Sequence, residues 1–194
     1  MRRWIVGITL FAVFLGGFRQ WLWPSFRSKC ILGVCVGKPL PDLSGYGPAV
    51  VEAARRGDSE IRIDLRANPP LRDLPMYRVP APTPPEADRV KLAELLIQRG
   101  ADGKVEHARL LESYADGSTL WAPEQKQVLS KWLRDNTGAR PPLQEINWQR
   151  KGIWMQLDRI HGIRTLMQIW PGTGGFATLR VDVGYTQFVP EPTK

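Results

Sequence analysis

Hydrophobic and polar positions alternate along this chain in distinct patterns, and each pattern predicts a different element. The first is an unbroken apolar run from Trp4 to Phe18, behind Arg2 and Arg3. A membrane-crossing helix needs about 20 mostly apolar residues. The run resumes after Arg19 and Gln20 with Trp21, Leu22 and Trp23, and Pro24 ends it. Trp4 and Trp23 would then stand about 28 Å apart on a helix, one at each membrane boundary. A signal-peptide cleavage site wants small residues at two alternate positions, but Leu15 occupies one of them before Gly17. Residues 1–24 are therefore expected to form an uncleaved membrane anchor in preference to a cleaved signal segment.

Residues 25–47 read as a juxtamembrane segment, with a short apolar strand over 30–36 broken by Gly37, Pro39 and Pro41. The pattern then turns helical. Pro48 is a good first helical residue, Val50, Val51 and Ala54 share a face, and Gly57 stops the helix. Over 60–66, Ile61, Ile63 and Leu65 alternate with Arg62, Asp64 and Arg66, which predicts a half-buried strand. Residues 68–85 hold seven prolines and read as a stiff connector.

Three further helices are expected. Thr83 and Glu86 have the form of a capping box, ahead of a helix to Arg99 with Val90, Ala93, Leu96 and Ile97 on one face. A second is expected over 104–115, with Val105, Ala108, Leu111 and Glu112 as neighbours. A third runs over 123–135, with Val128, Leu129, Trp132 and Leu133 as its apolar stripe. They would pack as a small helical layer.

After Pro142 the period changes to two. Strands are expected over 152–160, 163–170 and 176–183, with 185–189 continuing past a bulge at Gly184. The whole reads as an α+β protein: an N-terminal transmembrane helix, then one domain over 48–194, short helices followed by a C-terminal antiparallel β-meander. Residues 51–58 and 93–102 look like helices of an ankyrin repeat, but the period of about 33 residues that such repeats need is absent.

Charge adds a second constraint. The chain carries a net charge of +8 over 194 residues. Such a surface attracts anionic partners, although the interleaved motifs of nucleic-acid modules are missing and nucleic acid is not an expected partner. Cys30 and Cys35 have neither zinc nor thioredoxin spacing. In an oxidising compartment they would close a small disulfide loop.

Candidate catalytic chemistry is sparse. His107 and His161 stand alone, each expected in a solvated or capping role. Glu106 with His107, or Glu112 with Asp116, are the only acid–base pairs that suggest themselves. No metal, nucleophile-elbow or phosphate-loop motif is present, and no cofactor is expected. The aromatic residues say more. If the meander has one wet face, Trp154 and Trp170 lie on it with Arg164, Gln168, Arg180 and Asp182, as a candidate interface.

Together these features predict a single-pass protein of the inner (plasma) membrane. Its C-terminal domain would lie in the periplasm or outside and bind a protein partner in the cell envelope, as an accessory subunit or an immunity-type inhibitor. A cell-wall or envelope hydrolase, and a basic module for anionic lipid or polymer, are the competing classes.

Overall fold

The computed structural model describes residues 29–66, 90–114, 123–138, 144–146, 152–171 and 177–189. The protein is mixed α+β, with a mostly antiparallel sheet and two helices. Strands β1 (Cys30–Ile31) and β2 (Val34–Cys35) form a minimal hairpin. Helix α1 (Pro48–Arg56) follows a single 3-10 turn, Ser44–Tyr46. Then come β3 (Glu60–Asp64), β4 (Val90–Arg99), β5 (Val105–Tyr114), helix α2 (Pro123–Thr137), β6 (Gln144–Ile146), β7 (Gly152–Asp158), β8 (Ile163–Pro171) and β9 (Ala177–Tyr185).

The last seven strands make one sheet in the order β3-β4-β5-β9-β8-β7-β6, antiparallel at every pairing. Two meanders are thereby joined: β3 to β5 on one side, β6 to β9 on the other. The final strand closes the join by inserting beside β5. Helix α2 lies in the connection from β5, in the middle of the sheet, to β6 at its far edge.

One face of the sheet is the core. Ile61, Ile63 and Leu65 start it, and Ala93, Leu95, Ile97, Ala108 and Leu110 continue it. Val181, Val183, Leu179, Met167 and Ile169 complete it, all buried. Leu129, Trp132 and Leu133 of α2 cover this face, together with Ile31 and Val34 of the first hairpin. Val50, Ala53 and Ala54 bring α1 against the same core from the side. Lys29 ties the start of the described chain to it, donating from Nζ to Gly138 O at 2.9 Å and Gln156 Oε1 at 3.0 Å. A cation at a helix C-terminus also meets the negative end of the helix dipole there.

Two expected helices are strands. Residues 90–99 and 105–114 form the hairpin β4–β5 at the middle of the sheet. Leu, Ala, Glu, Lys and Gln favour helices when neighbours do not intervene, and the apolar positions at 90, 93, 96 and 97 fit a helical face. The same stretch also alternates: Ala93, Leu95 and Ile97 lie on the core face, while Leu96 is buried on the other. Burial between neighbouring strands overrides the local preference. The turn also carries a hairpin signal, Asp102-Gly103. Gly103 has φ +77 and donates to Gly100 O at 3.0 Å, and Gly100 in turn donates to Lys104 O at 2.9 Å. With both helices gone, the expected helical layer reduces to α2. The predicted helix at 48–56, the helix from 123 and the strands from 60, 152, 163 and 176 are present within a few residues of their expected ends. No bulge falls at Gly184, and β9 runs through it to Tyr185.

No helix among the described residues is long and apolar enough to cross a membrane. The expected anchor at 1–24, the capping box at 83–86 and the connector at 68–85 lie outside the described residues.

Candidate functional site

The chemistry of this protein gathers on the sheet face opposite the core. Paired residues of antiparallel strands place their side chains on the same face, so the register reads directly as rows. One row runs Glu60, Gln98, His107, Gly184, Arg164, Leu157. The next runs Arg62, Leu96, Arg109, Asp182, Leu166, Met155. A third runs Asp64, Glu94, Leu111, Arg180, Gln168.

The centre of these rows is a closed polar network. Asp182 is 0% exposed and His107 1%. His107 Nε2 donates to Asp182 Oδ1 at 2.8 Å, since a carboxylate can only accept. The other ring nitrogen, Nδ1, stands 2.9 Å from Gln98 Oε1. Arg109 donates from Nε to Asp182 Oδ1 at 3.0 Å. Arg180 grips the same carboxylate with two nitrogens, Nε on Oδ2 and Nη2 on Oδ1 at 3.1 Å. Burial pushes the Asp182 carboxyl up, but the hydrogen bonds from His107, Arg180 and Arg109 and the Arg180 charge outweigh it and hold it below the usual carboxylate range.

Gly184 makes room for this network. It pairs with His107 across β5 and β9. A Cβ on Gly184 would stand 2.9 Å from His107 Cδ2 and 3.1 Å from His107 Cβ and Glu106 O. The ring is held at both nitrogens, so it has little freedom to yield. Gly184→Ala is expected to destabilise the fold by about 1–3 kcal/mol, the usual cost of overpacking. A lower urea midpoint with an unchanged slope would register it, and an unchanged midpoint would show that the ring moves freely.

The residues expected at the interface divide. Gln168, Trp170 and Arg180 belong to the outer face, with Trp170 paired to Thr178 beyond the third row. Arg164 is on that face but buried, and its Nη1 donates to Val189 O. The residues after β9 turn back here, with Thr186 N donating to Gly162 O at 2.9 Å. Val189 thereby packs on Leu166 and Met155. Trp154 is the register partner of Met167, a core residue, and so is not in the rows that hold Arg164, Gln168, Arg180 and Asp182. The alternation in β7 is real, but Met155 and Leu157 occupy the outer side, which Val189 partly covers. Apolar residues on both faces make the phase of that strand unreadable from sequence.

The acid–base pairs also dissolve. Glu106 and His107 are consecutive on a strand and so face opposite ways, with Glu106 reaching toward Gly100. Glu112 is buried on the core face opposite Ala93 and Leu179. Asp116 lies outside the described residues. His161 accepts the role of turn partner, its Nδ1 2.9 Å from Asp158 Oδ2 and its backbone N–H donating to Asp158 Oδ1 at 3.2 Å. His107 is neither solvated nor a cap; it is the buried centre of the outer face. Cys30 and Cys35 are register partners in the first hairpin and are joined in a disulfide. Among the described residues no cluster of His, Cys, Asp and Glu is arranged to hold a metal ion.

A histidine that catalyses needs one ring nitrogen for its orienting carboxylate and the other for a nucleophile or substrate. Here both are engaged inside the protein, and among the described residues no Ser, Thr or Cys is hydrogen-bonded to the ring. The network is built to hold strands β4, β5 and β9 together and to fix two guanidinium groups at the surface. Comparison of the chain with family models, with curated proteins and with solved structures finds no match. What the fold defines is therefore a class: an α+β domain with one covered sheet face and one partly open one.

Proposed function

We propose that this protein is a membrane-anchored, extracytoplasmic binding module that docks a protein in the cell envelope through the outer face of its sheet. The observation that carries the reading is the division of that face. Val189 packs on Leu166 and Met155 on the β7–β8 side, and this cluster includes no residue of β3, β4, β5 or β9. The open part holds partly exposed charged and apolar side chains around a centre whose own hydrogen bonds are made internally. Leu92, 39% exposed, sits at its end. Such a rigid surface suits recognition, because its side chains are already positioned before a partner arrives.

The sequence supplies the rest of the reading. An apolar run at 4–18 bounded by Trp and followed by a Cys30–Cys35 disulfide fits an anchored domain in an oxidising compartment. An anchor also raises the effective concentration of the module for other envelope proteins. The role of accessory subunit or immunity-type inhibitor follows from this placement. His107, engaged at both ring nitrogens, lends no support to the competing hydrolase reading.

The test is topology. A reporter active only outside the cytoplasm is fused after Lys194, and the same cells are fractionated. The reporter is expected to be active and the fusion to stay with membranes. A silent reporter would overturn the extracytoplasmic reading, and an active reporter on a fully released fusion would overturn the anchor.

A further inference from the structure

The open half of the outer face is divided by charge about its own midline, and we propose that its occupant is a second copy of this chain. This rests on the reading that the open half docks protein, and it names the partner. Four strands make up the open half, so the midline falls between β4 and β5. On one side, the three rows place Glu60, Asp64 and Glu94 on β3 and β4 with the cation Arg62, and Arg66 and Lys91 lie beyond them at the strand ends. On the other, β5 and β9 present Arg109 and Arg180 against the single carboxylate of Asp182, with His107 beside them.

A two-fold axis lying in the interface and parallel to the strands along this midline brings β3 over β9 of the second copy and β4 over β5. The rows are preserved by that operation. Asp64 then meets Arg180 of the other copy, Arg62 meets the Asp182 row, and Leu96 meets Arg109. Each pairing occurs twice, as an isologous interface requires. Asp64 on β3 and Arg180 on β9 are opposite in sign, and this pair sets the register; Asp182 in the neighbouring row is buried and held by its own donors. An axis across the strands would instead set β3 over β3 and place like charges together, which is unfavourable. Face-to-face sheets keep their strands within about 30° of each other, so the strand-parallel axis is also compatible with sheet packing.

The size is compatible with a specific contact. Strands β4 and β5 have ten residues each. At about 3.4 Å per residue and about 4.8 Å between strands, the four-strand patch covers about 600 Å² in projection. A standard interface buries about 800 Å² per partner, so this is a small interface in which the charge rows set the register.

The experiment uses the full chain in its membrane. Cys30 and Cys35 are bonded to each other, so Leu92→Cys supplies a free thiol on the exposed end of β4, close to the proposed axis. A short bismaleimide is expected to yield a covalent dimer of the chain. Adding Asp64→Arg should reduce the dimer at least fivefold. Asp64 is exposed at the sheet edge and accepts a hydrogen bond from the backbone N–H of Arg66, so this change leaves the core alone. Arg55→Glu, on exposed α1, should leave the yield unchanged. A dimer insensitive to Asp64→Arg overturns the proposed geometry. If Leu92→Cys couples to a different protein and never to itself, self-association is wrong while the docking surface stands. If it does not couple to itself, self-association is wrong.

Discussion

Replacing Asp182 by alanine is expected to lower the stability of the domain by about 3–5 kcal/mol, the range seen when one partner of a buried charged pair is removed. Three donors converge on this carboxylate: His107, Arg109 and Arg180. Without it, the ring of His107 loses its acceptor in a site that is 1% exposed, and two guanidiniums on neighbouring strands repel each other. Arg109 and Arg180 are 31% and 21% exposed, so water relieves part of their loss and the lower end of the range is expected. Asp182→Asn, which keeps the shape and one acceptor oxygen, should cost less. Urea unfolding monitored by tryptophan fluorescence gives both values. A loss below about 1 kcal/mol for the alanine variant, the worth of an exposed pair, would show that the network is peripheral to the fold.

The same residue sets an acid limit. An aspartate in an unfolded chain titrates near pH 3.9, and Asp182 is held below that in the folded protein. A depressed carboxylate contributes stability that is fully present above the unfolded value and is lost as pH falls through the folded one. Wild-type stability should therefore fall below about pH 4 more steeply than that of Asp182→Asn. Parallel curves for the two proteins between pH 6 and the acid transition would remove Asp182 as the cause.

How far this arrangement can be read from the chain depends on the residues. In 60–64 and 177–183 the alternation is plain, because one face is apolar and the other charged or small. In 90–99 and 105–114 it is masked. Leu96 and Leu111 sit on the outer face beside Glu94 and Arg109, and strong helix formers fill the positions between. The network is harder still. His107 and Arg109 lie 73 to 75 residues from Asp182, and they meet only because β9 inserts beside β5. A local trace exists: His107-Ala108-Arg109 and Arg180-Val181-Asp182 each place two polar groups at alternate positions around a buried apolar residue. Two such triplets could have been matched as cross-strand partners. Nothing local, however, shows that the second meander returns to the first.

The core side answers to a different residue. Trp132→Ala is expected to destabilise the domain by about 3–5 kcal/mol, the range for truncating a large aromatic in a packed core. Trp132 is 2% exposed, and with Leu129 and Leu133 it forms the stripe by which α2 covers the sheet. The helix has 15 residues, near the length at which an isolated helix is marginal in water, so its order depends on that stripe. Hydrogen exchange separates two ways of losing this energy. If α2 and the sheet unfold together, amides of α2 and of β5 lose protection alike. If α2 detaches alone, its amides exchange first while β4, β5 and β9, tied across the other face by Asp182, stay protected. The second outcome is expected, because α2 packs in the core while the outer network joins its three strands through its own hydrogen bonds on the opposite face. Retained exchange protection in α2 of the Trp132→Ala protein would show that Leu129 and Leu133 suffice, and that the indole only fills space.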